Sequence, residues 1–450
     1  MSFVQTTREL LDGLGSAVFG RLASGEELTF NLAAEDQHYL RFNGGRVRQS
    51  TRVRQQRLAM RYQAQGRRVD FTFDLNGEVA TDLDTTLSLL HRARVEASVL
   101  PEDAYLTVVE QVKRSDVHHE GCLPPLNELL AFIAEEGRSA DFTGLYAGGT
   151  QLRATCNSRG LRHVFSTESF FVDYSLYTVN AAGENKAVKG LYAGRHWESG
   201  QFLENLRRSR ERLSLLEGEG RVIEPGNYRV YFAPAAVDAI IALFSWGAVS
   251  YSAWKKGDSA LMKLIEERVQ LSPLFSLNEN FALGLTPRFN SLGEVAPEII
   301  PVIEQGRLCN LLINSRTARE YEVPGNAAEV GEGLRSPDMA TGTLTDANVI
   351  SALDTGLYIG NLHYLNWSDL QHARITGMTR YACFWVENGR IVAPIRDLRF
   401  DETLYRIFGT ELEAVGATAE WIMRTDTYHQ RSVGGSRVPG MLLRDFRFTL

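Results

Sequence analysis

A strand–turn–strand pattern near the C-terminus constrains the fold of this chain more than any other feature. Residues 381–386 and 390–395 are apolar runs, and Glu387-Asn388-Gly389 joins them. An Asn-Gly pair between apolar strands favours a tight primed turn, because both central residues of such a turn must tolerate positive φ. We therefore predict a β-hairpin at this position, and with it a β-rich C-terminal region.

The segment before this hairpin contains the side chains best suited to binding a ligand. It reads HYLNWSDLQHARITGMTR over residues 363–380 and follows a strand-like run at 357–362. Binding residues often lie on loops held by a rigid β scaffold, and aromatic residues and arginine are enriched at binding surfaces. We predict a long loop here. In or beside it, the candidates for contacting a peptide or a partner chain are Tyr364, Asn366, Trp367, Arg374, Thr376, Arg380 and Tyr381.

Length and composition indicate an ordinary two-domain globular protein. The 450 residues exceed the size at which single cores stop growing, and 44% are hydrophobic and 23% charged. No window approaches the ~18 uninterrupted apolar residues of a membrane span, and the N-terminus lacks the apolar region of a signal peptide. The four cysteines are too widely spaced for a disulfide framework or a zinc knuckle. We expect a cytoplasmic protein with no membrane contact.

A change of composition at residues 217–226 predicts the domain boundary. This stretch, EGEGRVIEPG, is charged, rich in glycine and closed by Pro-Gly. Strands and helices on both sides follow no βαβ rhythm, which argues for an α+β fold. We predict an N-terminal domain at 1–220 with an antiparallel sheet and helices. The C-terminal domain, 221–450, is predicted to be a β-rich barrel or sandwich with flanking helices.

Periodicity places further elements. Apolar residues at helical spacing predict helices near residues 5–23, 83–97, 126–133, 202–216, 234–247 and 261–265. Alternating apolar residues at 38–74 predict a β-meander, with turns at Gly44-Gly45 and Gln65-Gly66.

Several short motifs resemble the C-terminal half of the TldD/TldE (PmbA) family, which was once described as modulators of DNA gyrase and is a metallopeptidase system. The motifs are GLYI at 356–359, TG at 376–377, FWVENG at 384–389, API at 393–395 and VG at 415–416. The family has two kinds of subunit. TldD-like chains carry an HExxxH zinc motif, and TldE-like chains lack it.

The resemblance places that motif on the predicted helix at 234–247. An ungapped match puts Ala242 and Gly247 at the two ligand positions and Leu243 at the position of the catalytic base. The family's zinc site also uses a cysteine close to the C-terminus, where this chain has only His429 as a nearby ligand type. The resemblance therefore implies a TldE-like subunit that holds no metal of its own.

Such a chain is expected to be the non-catalytic subunit of a heterodimeric metallopeptidase that acts on unstructured peptides. Zinc is expected in a TldD-like HExxxH partner, and this chain would contribute a cavity wall with peptide and partner contacts. Pairing with itself as a homodimer stays open beside the heterodimer.

Two other functions stay open at this stage. A self-sufficient hydrolase would use Cys383 as nucleophile, with His363 or His372 as base and Asp369 as orienting group. A homodimeric binding or scaffolding protein would use the arginine-rich strands at 41–68, which also have the pattern of a solvated sheet face. The net charge of −7 argues against nucleic acid as the main partner.

Overall fold

The structure, a computed structural model, describes residues 2–109, 112–136 and 140–449. Two large β-sheets with flanking helices confirm the predicted α+β class. The helices are α1 (Phe3–Phe19), α2 (Val79–Ala97), α3 (Leu126–Glu136), α4 (Ser199–Leu215), α5 (Pro234–Ala242), α6 (Tyr251–Lys256), α7 (Met262–Ile265), α8 (Ser315–Tyr321) and α9 (Val349–Leu353).

The first sheet is built from the N-terminal half of the chain. Its strands are β1 (Glu26–Asn43), β2 (Arg46–Ala64), β3 (Arg67–Leu75), β4 (Arg114–His119), β5 (Asp141–Asn157), β6 (Arg162–Val179) and β7 (Asn185–Gly194). They are ordered β3-β2-β1-β5-β6-β4, β7 also pairs with β6, and the pairs are antiparallel except β4–β6. The turns predicted at Gly44-Gly45 and Gln65-Gly66 are confirmed, since these residues have φ values between 49° and 70°.

The second sheet is built from the C-terminal half. Its strands are β8 (Gly226–Phe232), β9 (Leu277–Asn280), β10 (Ile299–Glu304), β11 (Arg307–Leu308), β12 (Pro337–Met339), β13 (Gly356–Asp369), β14 (Arg374–Glu387), β15 (Arg390–Pro394), β16 (Arg399–Thr403), β17 (Leu412–Met423) and β18 (Gly435–Phe448). The order β18-β16-β14-β13-β8 closes into a ring, because β8 bonds both to β13 and to β18. This closure matches the predicted barrel-like form.

Each helix predicted from the periodicity is present, two of them are shorter than predicted, and α6, α8 and α9 were not predicted. The predicted helix at 234–247 is shorter than expected, because its α-helical part ends at Ala242 and a 3-10 turn continues it. The predicted helix at 261–265 is reduced to the single turn α7. The periodicity missed α6, although Ser250 caps its N-terminus and Gly257 ends it at φ 79°.

A shared hydrophobic core joins the two halves. One cluster of buried residues combines Phe42, Phe142 and Phe170 of the first sheet with Tyr231 and Phe384 of the second. Strand β7 lies against β14 and β17 at this interface. Each sheet takes its strands from one side of residue 220, and we propose 1–220 and 221–450 as two domains that share this core.

None of the helices in the described ranges is long and apolar enough to cross a membrane. All four cysteines are unpaired, with Cys156 and Cys383 buried and Cys122 and Cys309 exposed.

Candidate functional site

The positions on and after α5 where the resemblance expects zinc ligands and a base do not fit a metal site, and the one carboxylate of this helix, Asp238, accepts a hydrogen bond from the Ser436 hydroxyl. This helix buries Ala236, Val237, Ile240 and Ile241. Leu243, at the expected position of the base, is 1% exposed, and Gly247 beyond the 3-10 turn has φ 88°. Zinc in proteins is bound by thiolate, imidazole or carboxylate, and aliphatic groups offer no such donor. The residues at the two expected ligand positions and the base position therefore cannot bind zinc.

His429 does not compensate for the missing ligands. Its ring lies edge-on to Tyr428, with 4.8 Å between centroids, and its backbone carbonyl accepts a hydrogen bond from Gln55 at 2.8 Å. Across residues 2–109, 112–136 and 140–449, no three His, Cys, Asp or Glu side chains come together as a metal-binding group.

The predicted long loop is wrong, because residues 356–387 form one extended hairpin. Strand β13 continues to Asp369, and β14 begins at Arg374 after a 3-10 turn at Leu370–His372. The pairing shifts register between Ile359 and Asn361 and at two later places along β13. Each shift breaks the alternation of apolar and polar residues by which a strand is recognised, so the sequence pattern was typical of a loop.

Four of the predicted binding residues make contacts within the second sheet, and of these Asn366 is exposed and Arg374 lines a surface cavity. Arg374 forms an ion pair with Asp401 at 2.9 Å, and the Thr376 hydroxyl donates to a carbonyl of β16 at 2.9 Å. The Asn366 side-chain oxygen accepts from the backbone N–H of Trp367 at 2.8 Å. The Trp367 ring packs on the core of the second sheet.

The other three candidates lie at irregular positions of the hairpin. Tyr364 and Tyr381 have φ of 54° and 62°, and Tyr364 is 72% exposed. The Arg380 guanidinium lies 5.3 Å from the centre of the Tyr381 ring, within cation–π range. Left-handed backbone costs a non-glycine residue roughly 1–2 kcal/mol. Such strain concentrates at functional sites, so these residues remain the better candidates.

Tyr381 lines a large cleft, which we call the main cleft. It has a volume of about 900 Å³ and lies between one face of the first sheet and the second half of the chain. Strands of the first sheet form its floor, and Tyr381 with residues 427–430 forms part of its wall. Its polar groups include Glu35, Tyr39, Arg41, Asp173, Lys189 and His429.

Hydrogen bonds fix the polar groups on this floor. Glu35, 1% exposed, accepts from the Gln55 side chain and from the backbone N–H of Arg431. Burial raises the pKa of Tyr39, and the Glu35 carboxylate adds to the effect, so Tyr39 stays a neutral phenol. Asp173 and Lys189 form an ion pair. The main cleft therefore presents neutral hydrogen-bond donors and paired charges. Groups of this kind can form hydrogen bonds with the main chain of a bound peptide.

Residues 427–433, which we call the crossing segment, lie across the same sheet face. Arg431 is fully buried, and its guanidinium donates to Gln37 at 3.1 Å and to the Ser169 carbonyl at 2.7 Å. Its own carbonyl accepts from Gln151 at 2.8 Å. A smaller cavity of about 380 Å³ lies on the same face and reaches Val433 at the other end of the segment.

Sequence reasoning missed both the main cleft and Arg431. The cleft is formed by residues from distant strands, and no local pattern records that they share one face. A lone arginine in a polar segment is usually exposed, so nothing in RTDTYHQRSVGG at 424–435 marks Arg431 as buried.

The cysteine-nucleophile hypothesis gains no support. Cys383 is 2% exposed, and burial raises the pKa of its thiol to about 11, which leaves little thiolate at neutral pH. The His372 ring forms a hydrogen bond with Asp369 at 2.8 Å, but this pair lies at the hairpin turn. Strand geometry places the turn roughly 30 Å along β14 from Cys383. The His363 ring packs against the Tyr364 ring in a tilted arrangement, with 4.0 Å between the ring centroids.

The arginine-rich strands are largely neutralised by acids. Arg52 and Arg54 both bind Asp36, and Arg61 and Arg68 both bind Asp70. A face whose arginines already have carboxylate partners gives no support to a nucleic-acid site.

Comparison with known proteins agrees with this architecture. The sequence profile described as the PmbA/TldA metallopeptidase C-terminal domain matches residues 225–450. No curated protein sequence matches the chain significantly.

Solved structures share the fold over nearly the whole chain. The crystal structure of TldE from Thermococcus kodakarensis has a TM-score of 0.78 at 12% identity and covers 98% of this chain and 100% of that chain. The structure of a putative modulator of DNA gyrase from Thermotoga maritima has a TM-score of 0.75 at 16% identity, and the alignment covers 98% of this chain and 100% of that chain. The structure of a putative modulator of DNA gyrase from Bacteroides thetaiotaomicron has a TM-score of 0.76 at 14% identity, and the alignment covers 98% of each chain. The profile match spans half of the sequence, and the chain therefore belongs to the PmbA/TldD metallopeptidase family.

Proposed function

We propose that this chain is the non-catalytic subunit of a TldD/TldE-like metallopeptidase that cleaves unstructured peptides in the cytoplasm. The observation that carries the proposal is the apolar character of α5. The buried aliphatic side chains of this helix stabilise the core of the second sheet at the place where a TldD-like chain would bind zinc. Zinc, base and nucleophilic water would then come from a TldD-like partner with an HExxxH motif.

The main cleft supports a role in holding the substrate. A space of about 900 Å³ admits several residues of extended chain, and hydrogen bonds to a peptide main chain give affinity with little sequence choice. Tyr364, Arg380 and Tyr381 lie on the hairpin beside it or in its wall. In this proposal they contact the peptide or the partner chain.

Complex formation tests the proposal. Mixed with a TldD-like HExxxH chain from the same genome, the protein should form a heterodimer in analytical ultracentrifugation and accelerate cleavage of an unfolded peptide. A partner whose HExxxH glutamate is replaced by glutamine is the matched control, and it should still bind without cleaving. Absence of a heterodimer at micromolar concentrations of both chains would contradict the proposal.

A matched pair of variants at Tyr381 tests the hairpin. Tyr381→Ala and Tyr381→Gly remove the same side chain, but only glycine relieves the cost of φ 62°. We expect the glycine variant to be more stable than the alanine variant by about 1 kcal/mol in urea unfolding. In the reconstituted complex both should lower kcat/KM for peptide cleavage about tenfold. Wild-type cleavage by either variant would remove Tyr381 from the proposed contact surface.

A further inference from the structure

The floor of the smaller cavity, which we call the arginine cavity, is formed by side chains from neighbouring strands of the first sheet. In the sheet pairing, Ala33 lies opposite Arg57 on one side and opposite Arg153 on the other. Residues directly opposite in an antiparallel sheet point to the same face, and strands lie about 4.8 Å apart. The two arginines therefore flank a single alanine, with Cα atoms roughly 10 Å apart.

The next row of the floor consists of shorter side chains. Thr72, Ala59, Asn31 and Thr155 are paired in sequence across four strands. The small side chains of this row, together with Ala33 beside it, leave space that larger residues would fill. Phe289 and Pro287 from the second half of the chain form an apolar part of the opposite wall.

The ion pairs of the arginines that line this cavity are long or, for Arg153, missing among the described residues. Arg153 donates to the carbonyls of Leu152 and Arg431, and among the described residues no carboxylate lies within ion-pair distance of it. Arg57 has its nearest acid, Asp74, at 3.9 Å. Burial lowers the pKa of Arg153 to about 10, and the charge of the Glu35 carboxylate opposes this shift only in part.

The opposite wall adds positive charge. Arg335 donates to the carbonyls of Pro287 and Phe289, and its nearest carboxylate is 4.0 Å away. The acid in the lining, Glu329, is already bonded to the backbone N–H and hydroxyl of Ser291, both at 2.9 Å. Buried guanidinium groups that bond to carbonyls keep a net charge that an anion would compensate.

We propose that the arginine cavity binds a small ligand that joins a carboxylate to an apolar group, with the carboxylate held by Arg57 and Arg153 above Ala33. Guanidinium binds carboxylate through paired hydrogen bonds, and Phe289 provides a contact for the apolar part. A volume of about 380 Å³ suits a molecule of dipeptide size.

Carboxylate is favoured over phosphate by the lining. Phosphate sites commonly use a helix N-terminus or a glycine-rich loop, often with lysine. The described residues that line the cavity include neither glycine nor lysine, and β-strands supply its floor. The proposal does not depend on the metallopeptidase assignment, since it concerns ligand binding by this chain alone.

Isothermal titration of the full-length chain tests the proposal with three probes. N-acetylphenylalanine carries the carboxylate, N-acetylphenylalanine amide is its neutral match, and inorganic phosphate is the competing anion. We expect saturable binding of the first, at least tenfold weaker binding of the amide, and weaker binding of phosphate. Arg57→Gln should weaken binding of N-acetylphenylalanine about tenfold. Arg52→Gln, on the same strand with its charge paired to Asp36, should leave it unchanged.

A second variant separates loss of the site from loss of the fold. Ala33→Leu keeps every arginine but fills the space above the floor, so it should abolish binding while the circular dichroism spectrum stays that of the wild type. No saturable binding of N-acetylphenylalanine to the wild type would overturn the proposal. So would phosphate binding more tightly than the carboxylate, or equal binding by wild type and Arg57→Gln.

Discussion

Replacing Arg431 with alanine is expected to lower the free energy of unfolding by roughly 3–5 kcal/mol, which is the usual cost of removing one partner from a buried charge network. The guanidinium is enclosed among Gln37, the Ser169 carbonyl and the face of Phe171, 5.1 Å away. Without it, the nearby Glu35 carboxylate stays buried and loses the charge that compensates it. Urea unfolding followed by circular dichroism measures the change.

Arg444→Ala is the matched control for this substitution. Arg444 is exposed and donates to the carbonyl of Thr410, so its loss should cost less than about 0.5 kcal/mol. A cost below about 1 kcal/mol for Arg431→Ala, within the range of an ordinary hydrogen bond, would contradict a role for Arg431 in fixing the crossing segment to the sheet.

Phe384→Ala should destabilise both halves of the protein together. Phe384 is fully buried in the cluster that joins the two sheets, with its ring 6.2 Å from that of Tyr358. Large-to-small substitution of a buried phenylalanine costs roughly 3–5 kcal/mol, through lost transfer energy and the cavity left behind. Because the cluster belongs to both sheets, we expect a single calorimetric transition that moves to lower temperature as a whole.

Val392→Ala provides the comparison for Phe384→Ala. Val392 lies on β15 next in the pairing to β14, but it is 53% exposed, so its truncation should change stability by less than about 0.5 kcal/mol. Two separate transitions, of which only one moves in Phe384→Ala, would show that the shared core does not couple the two domains.

The parts of this fold that could be predicted from sequence are those specified locally. The turns at Gln65-Gly66 and Asn388-Gly389 need residues that tolerate positive φ, and Asn388 and Gly389 have φ of 50° and 69°. The apolar face of α5 recurs every three to four residues, so its burial was expected. Such features depend on residues that are close in sequence, so they can be predicted without knowledge of the tertiary structure.

The parts that could not be predicted depend on contacts between distant residues. The middle of the hairpin, residues 363–380, has the sequence pattern of a loop, because register shifts interrupt the pairing of β13 with β14 there and Tyr364 has a positive φ. The burial of Arg431 depends on Gln37 and Ser169, hundreds of residues earlier in the chain. The arginine cavity has Arg57 and Arg153 on either side of Ala33. This arrangement is set by the pairing of strands in the sheet and not by the spacing of the residues in sequence.

The zinc content of the isolated chain tests the central claim most directly. After purification without chelator and dialysis against micromolar zinc, elemental analysis should find far less than stoichiometric zinc in this chain. The complex with a TldD-like partner should contain zinc and should lose peptidase activity on chelation. Stoichiometric zinc in the isolated chain, together with peptide cleavage that a chelator abolishes, would contradict the account.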